Sequence, residues 1–221
     1  MSVEVRGVRP TRIDNVVTLV TAQDEWLATQ TAFPEDALSY EGRLYRPWSP
    51  ATSKLSSMIT KGMQIPLTAR SRVLYLGAAS GTTVTHVSDI VADGIVFAVE
   101  FAPRPARDLL RAVAARENVV PMIADARRPD LYPPFVDHVD FLYQDVAQPD
   151  QAEIAIANAD KYLTPGGYAV IAIKARSISA GGDVKDIFRG ETERLAERFE
   201  ILEKVSLEPL HHDHLAVLCR Y

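Results

Sequence analysis

The sequence predicts an α/β protein: a mostly parallel, doubly wound sheet that closes with an antiparallel pair and follows a small β-rich unit. Three observations predict it. The first is Val73–Asp89, VLYLGAASGTTVTHVSD, where an apolar run enters a small-residue turn, Gly77–Gly81, and a Thr-rich segment opens a helix. The second is the alternation beyond it. Strands are expected at Val73–Leu76, Ile95–Val99, Val119–Ile123, Val139–Tyr143 and Tyr168–Ile173, and helices at Thr83–Ala92, Arg104–Glu117, Gln151–Tyr162 and Asp183–Arg198. The third is the ending. Phe199–Leu207 and His214–Tyr221 both read as strands, and the short link Glu208–Asp213 leaves room only for an antiparallel turn-around.

The first fifty residues read differently. Val3-Glu4-Val5-Arg6 alternates, as does part of Asn15–Thr21, and Trp26, Phe33, Tyr40, Leu44 and Tyr45 are scattered among turn formers. Short antiparallel strands are expected, giving a small β-rich domain over residues 1–50 that Pro47, Trp48 and Pro50 close. Ser53–Gly62 predicts a helix, capped by Ser53, with Leu55, Met58 and Ile59 on one face. It opens the second domain, residues 51–221.

Composition excludes several classes. The chain has 221 residues, 47% of them hydrophobic, enough for an α/β domain and a small accessory unit. No apolar run approaches a membrane span, and MSVEVRGVRP has no signal-peptide core, so a cytoplasmic protein is expected. The single Cys219 excludes an internal disulfide. His211, His212 and His214 lack a carboxylate or Cys cluster at ligand spacing, so no metal is expected. His86 reads as a packed helix residue, and His138 has no evident partner. With 24 Lys+Arg against 29 Asp+Glu the net charge is −5. Proteins that hold nucleic acid alone are usually basic. Either the substrate is not nucleic acid, or other subunits supply most phosphate contacts.

The glycine turn is not a dinucleotide fingerprint, because Ala79 stands where a second glycine is needed. The Gly77…Gly81 spacing and the antiparallel ending fit S-adenosylmethionine-dependent methyltransferases better. In an open parallel sheet the ligand lies beyond the carboxyl ends of the strands. After the first strand come Gly77, Ala79, Gly81, Thr82 and Thr83. Glu100 ends the second, suited to a ribose diol, and Phe101 offers an apolar face to an adenine. Asp125 and the Ala126 N–H follow the third, suited to the adenine edge. Gln144-Asp145-Val146 follows the fourth. The competing roles are a helix cap for Asp125 and plain core for Phe101.

Lys54, Asp145 and Lys174 are expected to converge at the methyl-donor end, with His214 facing the same cavity. A lysine directly after AVIAI is poorly explained by solvation. The grouping suits transfer to a hydroxyl: one lysine, its pKa lowered by burial or a second cation, takes the proton, and the other offsets charge on oxygen. Which lysine is the base stays open. The competing reading is a surface ion-pair cluster.

At these residues the chain resembles the fibrillarin family, in its archaeal fibrillarin-like form. The motifs are YRPWSPATSKL (Tyr45–Leu55), YLGAASGTTVTHVSDI (Tyr75–Ile90), FAVEFAPR (Phe97–Arg104), IADARRP (Ile123–Pro129), DFLYQDVAQPDQ (Asp140–Gln151), PGGYAVIAIKARSI (Pro165–Ile178) and DHLAVL (Asp213–Leu218). The resemblance implies RNA-guided ribose 2′-O-methylation of ribosomal and transfer RNA within a box C/D ribonucleoprotein, with a guide RNA, a Nop-family scaffold and a kink-turn-binding protein as partners. It places Lys54, Asp145, Lys174 and His214 at catalytic positions, and Ala79, Thr82, Thr83, Glu100, Phe101, Asp125, Ala126 and Gln148 at cofactor positions. The Gly/Arg-rich tail of eukaryotic members is absent, and the first fifty residues fit the family loosely. A basic patch is expected from Arg46, Lys54, Lys61, Arg70, Arg72, Lys174 and Arg176.

Overall fold

Two sheets form, as the two hydrophobic patterns require. The computed structural model describes residues 4–221, so Val3 of the first alternating run lies outside the described residues. The N-terminal sheet is antiparallel. Its strands are β1 (Val5–Pro10), β2 (Val16–Thr21), β3 (Glu25–Thr31), β4 (Leu38–Tyr40) and β5 (Arg43–Pro47), in the order β1-β2-β3-β5-β4. A helix, α1 (Lys54–Thr60), then leads across, with the Ser53 hydroxyl accepting the Ser56 N–H as the expected cap.

The second sheet contains β6 (Arg72–Leu76), β7 (Ile95–Glu100), β8 (Val119–Ile123), β9 (Val139–Gln144), β10 (Leu163–Lys174), β11 (Glu200–Ser206) and β12 (His214–Arg220). Its order is β11-β12-β10-β9-β6-β7-β8. The five strands β8, β7, β6, β9 and β10 run parallel, and β12 and β11 add the antiparallel ending. The expected terminal pair is therefore present to within a residue at each end. The chain runs from β6 outward to β7 and β8 on one side, then crosses back to β9 on the other side of β6, so a crevice opens at the carboxyl ends of β6 and β9.

Both faces of this sheet are covered, which is why its central strands are continuously apolar. Residues of α1, of α2 (Thr82–Ile90) and of α3 (Pro103–Ala112) close one face around Leu55, Met58, Val84, Val87 and Leu109. On the other, α4 (Gln151–Tyr162) and α6 (Val184–Ala196) bring Ile154, Ala155 and Leu195 onto the sheet. A one-turn helix, α5 (Ala175–Ile178), follows β10 and was not anticipated. Asp183 caps α6 by accepting the Lys185 and Asp186 N–H groups. No helix among the described residues is long and apolar enough to cross a membrane.

One expected helix is too long. Arg104–Glu117 reads as a single helix, but α3 stops at Ala112 and Val113 leaves helical geometry. The chain turns there so that Arg116 points inward and donates to the Asp89 carboxylate at 2.7 Å. A buried ion pair overrides local propensity. Asp89 is the hub between the two sheets. It also accepts from Thr29 (2.9 Å), Thr31 (2.9 Å) and Arg46 (2.6 Å). Beside it His86 stacks on Trp48, ring centroids 4.7 Å apart, and bonds the Thr29 hydroxyl through Nδ1.

Burial, with Arg46 and Arg116 adding to it, pushes the His86 pKa from 6.5 down to about 2. The sign follows. Below about pH 6.5 the unfolded chain takes up a proton that the folded chain refuses, so stability falls as pH falls. The loss approaches about 1.4 kcal/mol per pH unit and ends near pH 2, where the folded ring titrates. Urea melts between about pH 7 and 5 are expected to lose roughly 2 kcal/mol from this group. His86→Phe should flatten that slope; an unchanged slope would mean that His86 is already charged when folded.

Candidate active site

The turn after β6 is built for close approach. Gly77 has φ +80°, and a Cβ there would lie 2.9 Å from the Asp145 carbonyl carbon and oxygen. Only glycine lets the ends of β6 and β9 meet so closely. Gly81 has φ +91°, caps α2, and would drive a Cβ to 3.0 Å from Ala112. Ala79 holds a left-handed φ of +48°, a costly conformation for a residue with a Cβ. Its N–H donates to Glu100 Oε2 at 2.8 Å, and the Ala102 N–H donates to Oε1 at 2.8 Å. The Glu100 carboxylate is therefore fixed by two backbone donors and keeps lone pairs to spare on both oxygens.

A cavity of about 280 Å³ opens beside it. Gly77, Ala79, Glu100, Phe101, Asp125, Ala126, Asp145, Gln148 and Lys174 line it. Val146, named with the fourth strand end, also lines it, and Val99, Ala102, Ala124 and Ala147, which were not singled out from the sequence, complete its walls. They are the chain neighbours of residues that were, so strand-end position alone could have found them. Phe101 is 55% exposed, not core. Asp125 lines the cavity and also accepts the Arg127 N–H at 2.9 Å, a bond that closes a local turn; it caps no helix, since the short helical turn at Pro129–Leu131 begins after Arg128.

Gly81, Thr82 and Thr83 do not line this cavity. The Thr83 hydroxyl donates to Ser53 Oγ at 3.0 Å, tying the first turn of α2 to the cap of α1. That link holds Lys54, the next residue, over the carboxyl edge of the sheet.

Lys54, Asp145 and Lys174 converge as expected. Lys54 Nζ lies 3.2 Å from Asp145 Oδ2, and Lys174 Nζ lies 2.7 Å from Oδ1. Lys174 Nζ also donates to the Asp145 carbonyl at 2.7 Å. The three side chains are only 14–19% exposed, so their charges interact with little screening. Burial lowers the Lys174 pKa; Asp145 opposes that shift and Lys54 adds to it. His214 lies opposite Lys174 in the β10–β12 ladder, with Nδ1 2.5 Å from the His212 carbonyl. Burial lowers its pKa too, with the Lys54 and Lys174 charges contributing.

The expected basic patch does not form as one surface. Arg46 is drawn onto the buried Asp89 carboxylate, and Arg72 begins β6 at the end of the strand opposite the glycine turn. Arg70 precedes it. Lys61 donates to the Glu208 carbonyl and Arg176 pairs with Asp213. Of the seven, Lys54 and Lys174 meet at the site. Strand direction, invisible in a list of basic residues, separates Arg70 and Arg72 from them.

The comparisons with known proteins agree with this geometry. A family model described as Fibrillarin matches residues 4–221. A Methanosarcina barkeri protein named fibrillarin-like rRNA/tRNA 2′-O-methyltransferase is 51% identical over 195 residues, 86% of each chain. The solved Methanococcus jannaschii fibrillarin pre-rRNA processing protein superposes with a TM-score of 0.91 at 39% identity, covering 100% of this chain and 98% of that one. Aeropyrum pernix fibrillarin, solved with natively bound S-adenosyl-L-methionine, gives 0.89 at 38% identity over 99% and 100% of the two chains. A fibrillarin/Nop5p complex gives 0.87 at 39% identity over 96% and 100%.

Proposed function

This chain belongs to the fibrillarin family, and on that premise we propose that it is the catalytic subunit of an RNA-guided ribose 2′-O-methyltransferase. It is an S-adenosylmethionine-dependent methyltransferase acting on ribosomal and transfer RNA. The guide is a box C/D RNA, and the particle contains a Nop-family scaffold and a kink-turn-binding protein. The net charge of −5 supports a division of labour in which those partners carry most of the RNA affinity. The protein acts in the cytoplasm. Residues 1–50 form one domain, and 51–221 the methyltransferase domain.

The observation that carries the reading is the Asp145 carboxylate held between two ammonium groups at the rim of the Glu100 cavity. The cavity fits the cofactor: the two lone-pair sites left on Glu100 suit the hydroxyls of a ribose, and the left-handed Gly77–Ala79 turn leaves room for a ligand against the backbone. Phe101, Asp125, Ala126 and Gln148 would hold its adenine end. When bound, the cofactor supplies a methyl group on a cationic sulfur. Asp145 restrains that positive end. Burial gives Lys174 a larger neutral fraction than a free lysine has, so its Nζ takes the 2′-hydroxyl proton. The Lys54 ammonium offsets negative charge on the attacking oxygen. His214, beside Lys174, completes the set. Gly81, Thr82 and Thr83 act by placing the turn and α1.

The test is reconstitution with guide RNA, scaffold and kink-turn protein, followed by mapping of the methylated ribose. Methylation of the nucleotide that the guide selects is expected. Efficient transfer by the protein alone would make it a stand-alone enzyme. Glu100→Ala removes two charge-assisted bonds to the ligand, each worth about 1.5–3 kcal/mol. Its dissociation constant for S-adenosylmethionine, read by calorimetry, should rise at least about tenfold. Unchanged affinity would remove Glu100 from the site.

A further inference from the structure

The end of β10, where Lys174 stands, keeps β12 on one side but has lost its neighbour on the β9 side. β9 and β10 pair as far as Gln144 opposite Ile171, and β9 then turns away into the Asp145 loop. Lys174 lies three positions further on, with backbone groups facing a gap that no strand fills. Gln151, the first residue of α4, fills it. Its Oε1 accepts the Lys174 N–H at 2.9 Å, and its Nε2 donates to the Lys174 carbonyl at 3.2 Å. The same Nε2 donates to the Gln148 carbonyl at 2.8 Å. Gln144, the last residue of β9, donates through Nε2 to the Gln151 carbonyl at 2.7 Å. Both glutamines are 0% exposed, so water cannot replace these bonds.

We propose that Gln151 is a positioning residue for methyl transfer: its amide substitutes for the missing strand at the end of β10 and fixes where the Lys174 side chain departs toward Asp145. The inference rests on the role given to Lys174 above. An amide is the required group, because the site needs an acceptor for one N–H and a donor for two carbonyls at one place. Methionine fills the volume and supplies neither. Ionised glutamate supplies the acceptor alone. The argument for a functional demand is one of precision. Lys174 Nζ must reach both an oxygen of the Asp145 side chain and its carbonyl, each at 2.7 Å. A shift of an ångström at its Cα breaks that geometry. The groups that face Lys174 are Asp145 after β9, Lys54 of α1, Glu100 of β7 and His214 of β12.

The experiment compares wild type with Gln151→Met by two readouts. The first is the titration of Lys174, followed by NMR on protein carrying ¹³C-labelled lysine and assigned with Lys174→Met. The second is single-turnover methyl transfer in the reconstituted particle. In Gln151→Met the Lys174 titration should move to higher pH, as the released ammonium gains water. The transfer rate should fall about tenfold or more, while S-adenosylmethionine affinity changes less than about threefold. An unmoved Lys174 titration overturns the proposal, including when the rate falls, since that pattern marks a general weakening of α4. If Gln151→Met does not fold, Gln151→Asn, which keeps a neutral amide but sets it one methylene short of the Lys174 backbone, is read in the same way. A displaced titration in a particle whose wild type transfers no methyl group leaves Gln151 as the positioner of Lys174 and rejects the enzymatic reading instead.

Discussion

Asp145→Ala is expected to slow methyl transfer by about 10³-fold, within the range that a positioned acid–base group contributes. Among the described residues the carboxylate is the only anion that pairs with both Lys54 and Lys174, touching them at 3.2 and 2.7 Å. Without it the two ammonium groups repel each other, and both swing toward solvent through the rim they already reach. The pH dependence makes the prediction specific. Asp145 is what raises the Lys174 pKa against burial and the Lys54 charge. Once it is gone, burial and that charge act unopposed on any fraction of Lys174 still in place. The limb of the rate profile that reports Lys174 should then move to lower pH even as the rate falls. Single-turnover rates across pH measure both effects, and a thermal melt checks that the variant still unfolds cooperatively. A wild-type rate would end the catalytic assignment of the whole cluster, since no other group there can hold the two lysines together.

Asp89→Ala has the largest expected effect on stability. Asp89 accepts four hydrogen bonds, and its side chain is 1% exposed. Its removal leaves the buried Arg116 guanidinium and the half-buried Arg46 guanidinium charged without their anion. Breaking a buried ion pair by deleting one partner costs about 3–5 kcal/mol. In a chain of this size each kcal/mol lowers Tm by roughly 2–4 °C, so a fall on the order of 10 °C is expected by calorimetry. The cofactor turn should feel it too. Asp89 lies on α2, whose first turn begins at Gly81 and is tied through Thr83 to the cap of the Lys54 helix. A melt shifted by less than about 2 °C would show that the guanidinium groups find water, and that the seam between the sheets is not dry.

Much of the site was legible because strand ends are fixed places. Once β6, β7, β8 and β9 are recognised by their apolar runs, the residues that follow them must lie along one crevice. Gly77, Glu100, Asp125 and Asp145 could therefore be named before any coordinates. Lys174 was legible for the same reason. Thr82 and Thr83 were legible as a helix start but not as wall or link. The direction of the Thr83 hydroxyl is set by the approach of α1, which no local pattern records. The Asp89 hub was not legible at all. Its partners lie 27 to 60 positions away in the chain, and Arg116 reads locally as one more exposed helix residue. The basic patch failed for a related reason: Arg70 and Arg72 are close to Gly77 in sequence, but a strand carries them to the far edge of the sheet.

The sequence by itself determined the order and kind of the elements, because hydrophobic period, caps and glycine turns act over a few residues. It also determined which strand ends meet at the cavity. Only the tertiary structure decided which charges are shared: that one carboxylate serves both lysines, that another takes two arginines and two hydroxyls, and that a buried amide stands in for a strand beside Lys174. Those outcomes depend on how far apart the backbones come to rest after packing. Coulomb and hydrogen-bond energies change steeply over an ångström, whereas the pattern of apolar residues does not.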